Sequence, residues 1–92
     1  MVRKVILDCE KLTEREQAHQ YLAKMLDFPD YYGKNLDALF DCLTELGKCT
    51  IVLEGAAALR QTDGYGAKVL KTLEEAAREN SGLRLEIKDE EY

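Results

Sequence analysis

Three short apolar runs, at 2–7 (V-R-K-V-I-L), 49–54 (C-T-I-V-L-E) and 83–88 (L-R-L-E-I-K), stand far apart in this chain, separated by residues 8–48 and 55–82. A hairpin needs a loop of only about two to five residues. Spacers this long carry helices instead, and they bring each new strand back parallel to the last. The middle run is almost continuously apolar, as in a strand paired centrally or covered on both sides. The last run alternates strictly, as in a strand with one buried face. The prediction is an α/β fold of two layers, a three-stranded parallel sheet packed against helices that lie chiefly on one face.

The spacers read as helices joined by turns. Thr13-Glu-Arg-Glu16 fits a capping box, and Ala18, Leu22, Met25 and Leu26 then recur on one helical face. Residues 28–33 (F-P-D-Y-Y-G) form a turn, with proline fixing one dihedral and glycine permitting another. Asn35 suits the N-cap of a second helix reaching about Leu46. Residues 55–60 suggest a short helix, and residues 61–66, which include Gly64-Tyr65-Gly66, suggest a loop. A last helix from Ala67 presents Val69, Leu70, Leu73, Ala76 and Ala77, and Asn80-Ser-Gly82 ends it in the manner of a glycine C-cap. All 92 residues are expected to form one domain, with the polar end 89–92 frayed.

Composition excludes several classes of function. No apolar run approaches the roughly 20 residues that span a bilayer. The charged N-terminus lacks the cleavage pattern of a signal peptide, so a cytoplasmic location and no membrane partner are expected. Cys9, Cys42 and Cys49 are odd in number and lack paired spacing, and His19 is the single histidine. They read as structural thiols, with no metal site and no cofactor. A net charge of −5 argues against nucleic acid as the partner. That charge is concentrated: residues 27–45 hold Asp27, Asp30, Asp37, Asp41 and Glu45 against Lys34 alone. A local negative field of this kind predicts a basic partner.

On a helical wheel, Leu36, Leu39, Phe40 and Leu43 share one stripe, while Asp37, Asp41 and Glu45 form a neighbouring row. Phe40 falls on the border between the two. Like charges four residues apart destabilise a helix by a few tenths of a kcal/mol each, a local cost that a binding face explains. Tyr31, Tyr32 and Gly33 stand just upstream as aromatic anchors beside a small residue, the types favoured at interface centres. An exposed row of solvated acids is the plainer alternative. Catalysis is not expected: side chains four apart on an open helix face define no pocket, no activated nucleophile or phosphate loop is visible, and His19 reads as structural.

Residues 28–44, F-P-D-Y-Y-G-K-N-L-D-A-L-F-D-C-L-T, resemble the signature of the barstar family, and the likeness runs more loosely along the whole chain. The resemblance implies a barstar-like three-stranded parallel sheet with helices against it. It also implies inhibition, not enzymatic activity, directed at a basic extracellular ribonuclease (barnase-like) in a 1:1 complex. Carried over by position, Tyr31, Tyr32, Gly33, Asn35, Leu36, Asp37, Phe40 and Asp41 would meet the nuclease. Asp41 matches the carboxylate that enters the phosphate pocket, and Glu75 and Glu79 match acids of the last helix flanking it. Glu45 adds a further charge to this face. Phe40 stands where the best-known member has tryptophan, and Leu46 where an aromatic is expected, differences that bear on which nuclease is bound. A module of the same fold whose partner is not a nuclease is the competing reading.

Overall fold

The three apolar runs become parallel strands β1 (Arg3–Asp8), β2 (Cys49–Glu54) and β3 (Leu83–Lys88), in the order β1-β2-β3 across one sheet. The structure, a computed structural model, describes residues 3–60 and 64–88, so the tail expected to fray at 89–92 lies outside the described residues. The strands run in step, with Val5 beside Ile51 and Ile51 beside Leu85. Successive side chains of a strand point to opposite faces. Val5, Leu7, Cys49, Ile51, Leu53 and Leu83 are therefore buried together on one face. The other face carries Lys4, Thr50 and Arg84 in one row and Ile6, Val52 and Glu86 in the next. Ile6 is 48% exposed there, and Val52, on the middle strand between Ile6 and Glu86, is 2% exposed. The helices cover one face, and the result is the two-layer α/β arrangement predicted. Burial fades along β3, from Leu83 to the exposed Ile87, so its alternation buries only the first part of the strand.

Between β1 and β2 lie a 3-10 turn (Cys9–Leu12), α1 (Arg15–Leu26) and α2 (Leu36–Thr44); between β2 and β3 lie α3 (Ala57–Arg60) and α4 (Tyr65–Glu79). The capping box expected at Thr13 does not form. Thr13 closes the preceding 3-10 turn and its hydroxyl donates to the Glu10 carbonyl, while Glu14 takes the N-cap position of α1 without a side-chain bond. α1 ends on Asp27, a left-handed residue with φ 58°, a conformation that short polar side chains tolerate best after glycine. α4 starts at Tyr65, two residues earlier than expected, with Gly64 as N-cap. Gly66 therefore lies inside the helix, where the close Leu59 side chain, 3.0 Å from where a Cβ would stand, favours glycine.

The end of α4 also departs from expectation. Asn80, in extended conformation, is the C-cap, and no left-handed glycine follows it. Its side chain replaces the glycine device: Nδ2 donates to the carbonyls of Leu43 and Leu46 at 3.0 Å each, and Oδ1 accepts from the Gly82 N–H at 3.0 Å. One amide thus joins the C-terminal end of α2 to the turn that enters β3. The shared core of these elements includes Leu22, Leu26, Leu39, Leu43, Leu59 and Leu73, all essentially without exposure. Each contributes about 2 kcal/mol by leaving water. No helix among the described residues is long and apolar enough to cross a membrane.

Candidate functional site

The candidate site grows from α2, whose start is set by a well-formed cap. Asn35 is extended, and its Oδ1 accepts from the Ala38 N–H at 2.7 Å. Its Nδ2 donates to the Gly33 carbonyl at 3.4 Å, so the cap also fastens the preceding turn. Lys34 between them is left-handed, with φ 55°. From this start the helical period does what the wheel predicts. Leu39 and Leu43 are fully buried, Leu36 and Phe40 are half-buried, and Asp37, Asp41 and Glu45 are exposed. Phe40 does lie on the seam between core and carboxylates.

α2 packs against α4, and the line between them opens as a surface hollow walled by Leu36, Asp37, Phe40, Asp41, Thr72 and Glu75. A second hollow lies on the other side of α2, walled by Tyr31, Tyr32, Gly33, Ala38, Asp41, Cys42 and Glu45. Asp41 is the one residue common to both. Its carboxylate stands on a ridge, with an acid from the neighbouring helix on one side and the tyrosine turn on the other. Of the eleven residues singled out from the sequence, nine line one or both hollows. Asn35, exposed, lines neither and acts as the cap of α2. Glu79 is exposed at the end of α4 and lines neither hollow.

The two tyrosines differ sharply. Tyr31, 88% exposed, is the most exposed large apolar side chain among the described residues. Tyr32 is only 7% exposed, so it is not the free-standing anchor that its sequence position suggests. Its ring packs 4.8 Å from that of Phe28, and its hydroxyl lies 2.6 Å from Nδ1 of His19. What Tyr32 offers the second hollow is the edge of a core side chain. Burial holds its hydroxyl protonated far above the ordinary range, with Cys42 and Tyr65 adding to the effect. Cys42 is half-buried in the same hollow, less enclosed than the apolar side of a helix suggests. Burial pushes its thiol up, and the Glu45 and Asp41 carboxylates push it further, which keeps it a neutral thiol.

Sequence reasoning missed the depth of His19. It is 1% exposed, and its Nε2 lies 2.5 Å from the Tyr65 hydroxyl. Gly64-Tyr65-Gly66 was expected to be a turn, yet Tyr65 reaches back from α4 to close this contact. An apolar spacing around a single histidine was the available signal, and the tyrosines 13 and 46 residues away were not part of it. Among the described residues, no three His, Cys, Asp or Glu side chains cluster as a metal site.

What this geometry can do is present carboxylates. Asp37, Asp41 and Glu75 converge on a hollow open to solvent, beside the half-buried Phe40 ring, with the exposed Tyr31 across α2. That is suited to a basic surface carrying guanidinium groups, which bind carboxylates through paired charge-assisted bonds. Comparison with known proteins identifies the family. Residues 2–90 match the family described as Barstar (barnase inhibitor). The Bacillus subtilis (strain 168) protein named "Putative ribonuclease inhibitor YrdF" is 42% identical over 81 residues, spanning 85% of this chain and 89% of that protein. With almost its whole length matched, the chain belongs to the barstar family.

Proposed function

We propose that this protein is a cytoplasmic inhibitor of a basic secreted ribonuclease, binding 1:1 and occluding the active site without chemistry of its own. The observation that carries this reading is the position of Asp41 on the ridge shared by two hollows. A ribonuclease cleft is lined with basic groups that hold phosphate, and a carboxylate on a rigid helix can take the phosphate's place. Asp37 and Glu75 would flank Asp41 from α2 and α4. Tyr31 and the half-buried Phe40 would exclude water around it, with Glu45 extending the negative field and Glu79 at its outer margin.

Excluding water is what gives the charges their value. Two unit charges about 4 Å apart attract by about 1 kcal/mol in water and by about 4 kcal/mol at an effective dielectric of 20. Desolvating both groups offsets part of that gain. Loss of the Asp41 carboxylate is therefore expected to weaken inhibition by about 2 kcal/mol or more, some 30-fold. The test is inhibition of barnase and a panel of other basic secreted ribonucleases at low salt, with Asp41→Ala and Glu10→Ala compared. Glu10 is exposed in the 3-10 turn, outside both hollows. Asp41→Ala should lose affinity with its melting temperature unchanged, and Glu10→Ala should keep it. No inhibition of any nuclease at micromolar protein refutes the proposal, and equal losses from the two variants refute the assigned face.

A further inference from the structure

The His19 cluster joins three elements that the docking face depends on: α1, the 31–34 turn and the first turn of α4. The side chain is buried at 1% exposure, Tyr32 meets Nδ1 at 2.6 Å and Tyr65 meets Nε2 at 2.5 Å. A neutral imidazole has one N–H donor and one acceptor nitrogen. The surroundings decide which is which. Tyr32 is buried, and among the described residues His19 is the hydrogen-bond partner of its hydroxyl, so that hydroxyl donates to Nδ1. Tyr65 is half-buried, and its oxygen accepts from Nε2–H while its own proton can reach water. Every polar atom is then served, in keeping with the absence of unsatisfied buried side-chain atoms among the described residues.

A second ring proton breaks this count. Nδ1 becomes a donor facing a hydroxyl that already uses it as acceptor, so the Tyr32 hydroxyl must turn away or Tyr32 must move. Moving Tyr32 disturbs the chain on both sides of it. Tyr31, the exposed ring of the docking face, precedes it, and Gly33, tied to Asn35, follows it. The charges around the ring do not favour the extra proton. Arg15 and Glu16 on α1 and Lys34 after the turn line one hollow with His19, a net positive set. Among the described residues, the titratable groups packed beside it are Tyr32, Tyr65 and, from α2 beside Tyr32, Cys42, all held in their neutral protonated forms by burial.

We infer that His19 is a positioning residue for partner binding: in its neutral form it clasps Tyr32 and Tyr65, sets the Tyr31–Gly33 turn, and releases that turn when protonated. The inference rests on the docking face proposed above. It makes affinity for the partner fall in acid for a reason internal to the inhibitor. Burial, and then the Arg15 charge, hold the ring below its ordinary titration range, which is the direction the clasp requires.

Two measurements test it, and the first needs no partner. In the free protein, NMR follows the His19 ring and the amides of Tyr31, Tyr32 and Gly33 from pH 7.5 to 4.5. The expected result is that the turn amides shift with the same midpoint as the ring, below about 6.5. A ring that titrates while the turn stays still overturns the inference, and so does a ring that remains neutral throughout. The second measurement is the barnase dissociation constant at pH 7.5 and 5 for the natural chain and for His19→Gln, whose amide donates and accepts but does not titrate. The nuclease's own titrations are common to both. The natural chain should lose at least tenfold more affinity than the variant, and equal losses overturn the inference. If neither protein binds barnase or any other basic ribonuclease at either pH, the proposed function fails, and the free-protein titration still decides the role of His19.

Discussion

Replacing Asn80 with alanine tests whether one amide ties α2 to the turn that enters β3. Three hydrogen bonds are at stake: two from Nδ2 to the carbonyls of Leu43 and Leu46, and one from the Gly82 N–H to Oδ1, all at 3.0 Å. Leu43 lies in the last turn of α2, where helical geometry leaves acceptors without intrahelical partners, and its carbonyl also accepts from the Leu46 N–H at 3.3 Å; Leu46 lies just past the helix end. A typical intramolecular hydrogen bond contributes about 1 kcal/mol net, and a buried group left without a partner costs about 1–3 kcal/mol. Three bonds give an upper figure of about 3 kcal/mol by the net value. The site is only partly buried, so water recovers some of this, leaving about 2 kcal/mol. For a domain of this size that is a fall of about 8–16 °C in melting temperature. Asn80→Asp separates the parts, because a carboxylate can still accept from Gly82 but offers no donor to the two carbonyls. Urea and thermal unfolding of the natural chain, Asn80→Ala and Asn80→Asp are the assays. If Asn80→Ala costs less than about 0.5 kcal/mol, the amide is not what anchors α2, and the reasoning fails.

Asn35→Ala removes the bond from the Ala38 N–H and should cost about 1 kcal/mol by urea unfolding, while Asn35→Ser or Asn35→Asp should recover most of it. Stability should also carry a His19 signature in acid. The unfolded ring titrates near 6.5 and the folded ring lower, so between those points the unfolded chain binds more protons and stability falls as pH falls. Above about 6.5 the ring contributes no slope. Urea midpoints between pH 7.5 and 5 should show that extra loss in the natural chain and not in His19→Gln, and identical profiles would count against it.

The parts of this fold that sequence pattern foretold are those that depend on neighbours along the chain. β1, β2 and α2 follow from runs and periods of apolar residues, and the Asn35 cap acts on an N–H three positions away. The carboxylate row of Asp37, Asp41 and Glu45 falls where a simple wheel puts it, with Phe40 on its edge. Contacts across the fold were invisible to such patterns. The burial of Tyr32 depends on His19 and Phe28, and the role of Tyr65 depends on a residue 46 positions earlier. Asn80 looked like part of a glycine stop because nothing local reveals that two carbonyls of α2 lie within its reach. Thr13 satisfied a capping pattern but was claimed by the turn before it. Convergence of Glu75 with Asp41 needed the packing of α4 on α2, and the same packing leaves Glu79 outside.

The ridge position of Asp41 has a consequence for how partner choice can change. One hollow is walled from α4 by Thr72 and Glu75, the other by the turn 31–33 together with Cys42 and Glu45. Apart from Asp41 they have no wall in common. Exchanges at Thr72 or Glu75 can therefore reshape one half of the proposed contact surface without touching the walls of the other, and exchanges at Tyr31 or Glu45 can do the reverse. The two halves meet only at Asp41, so any departure from additivity between variants drawn from each should run through that residue. A library built on that division would search two small spaces in place of one large one, with Asp41 kept constant as the shared reference point.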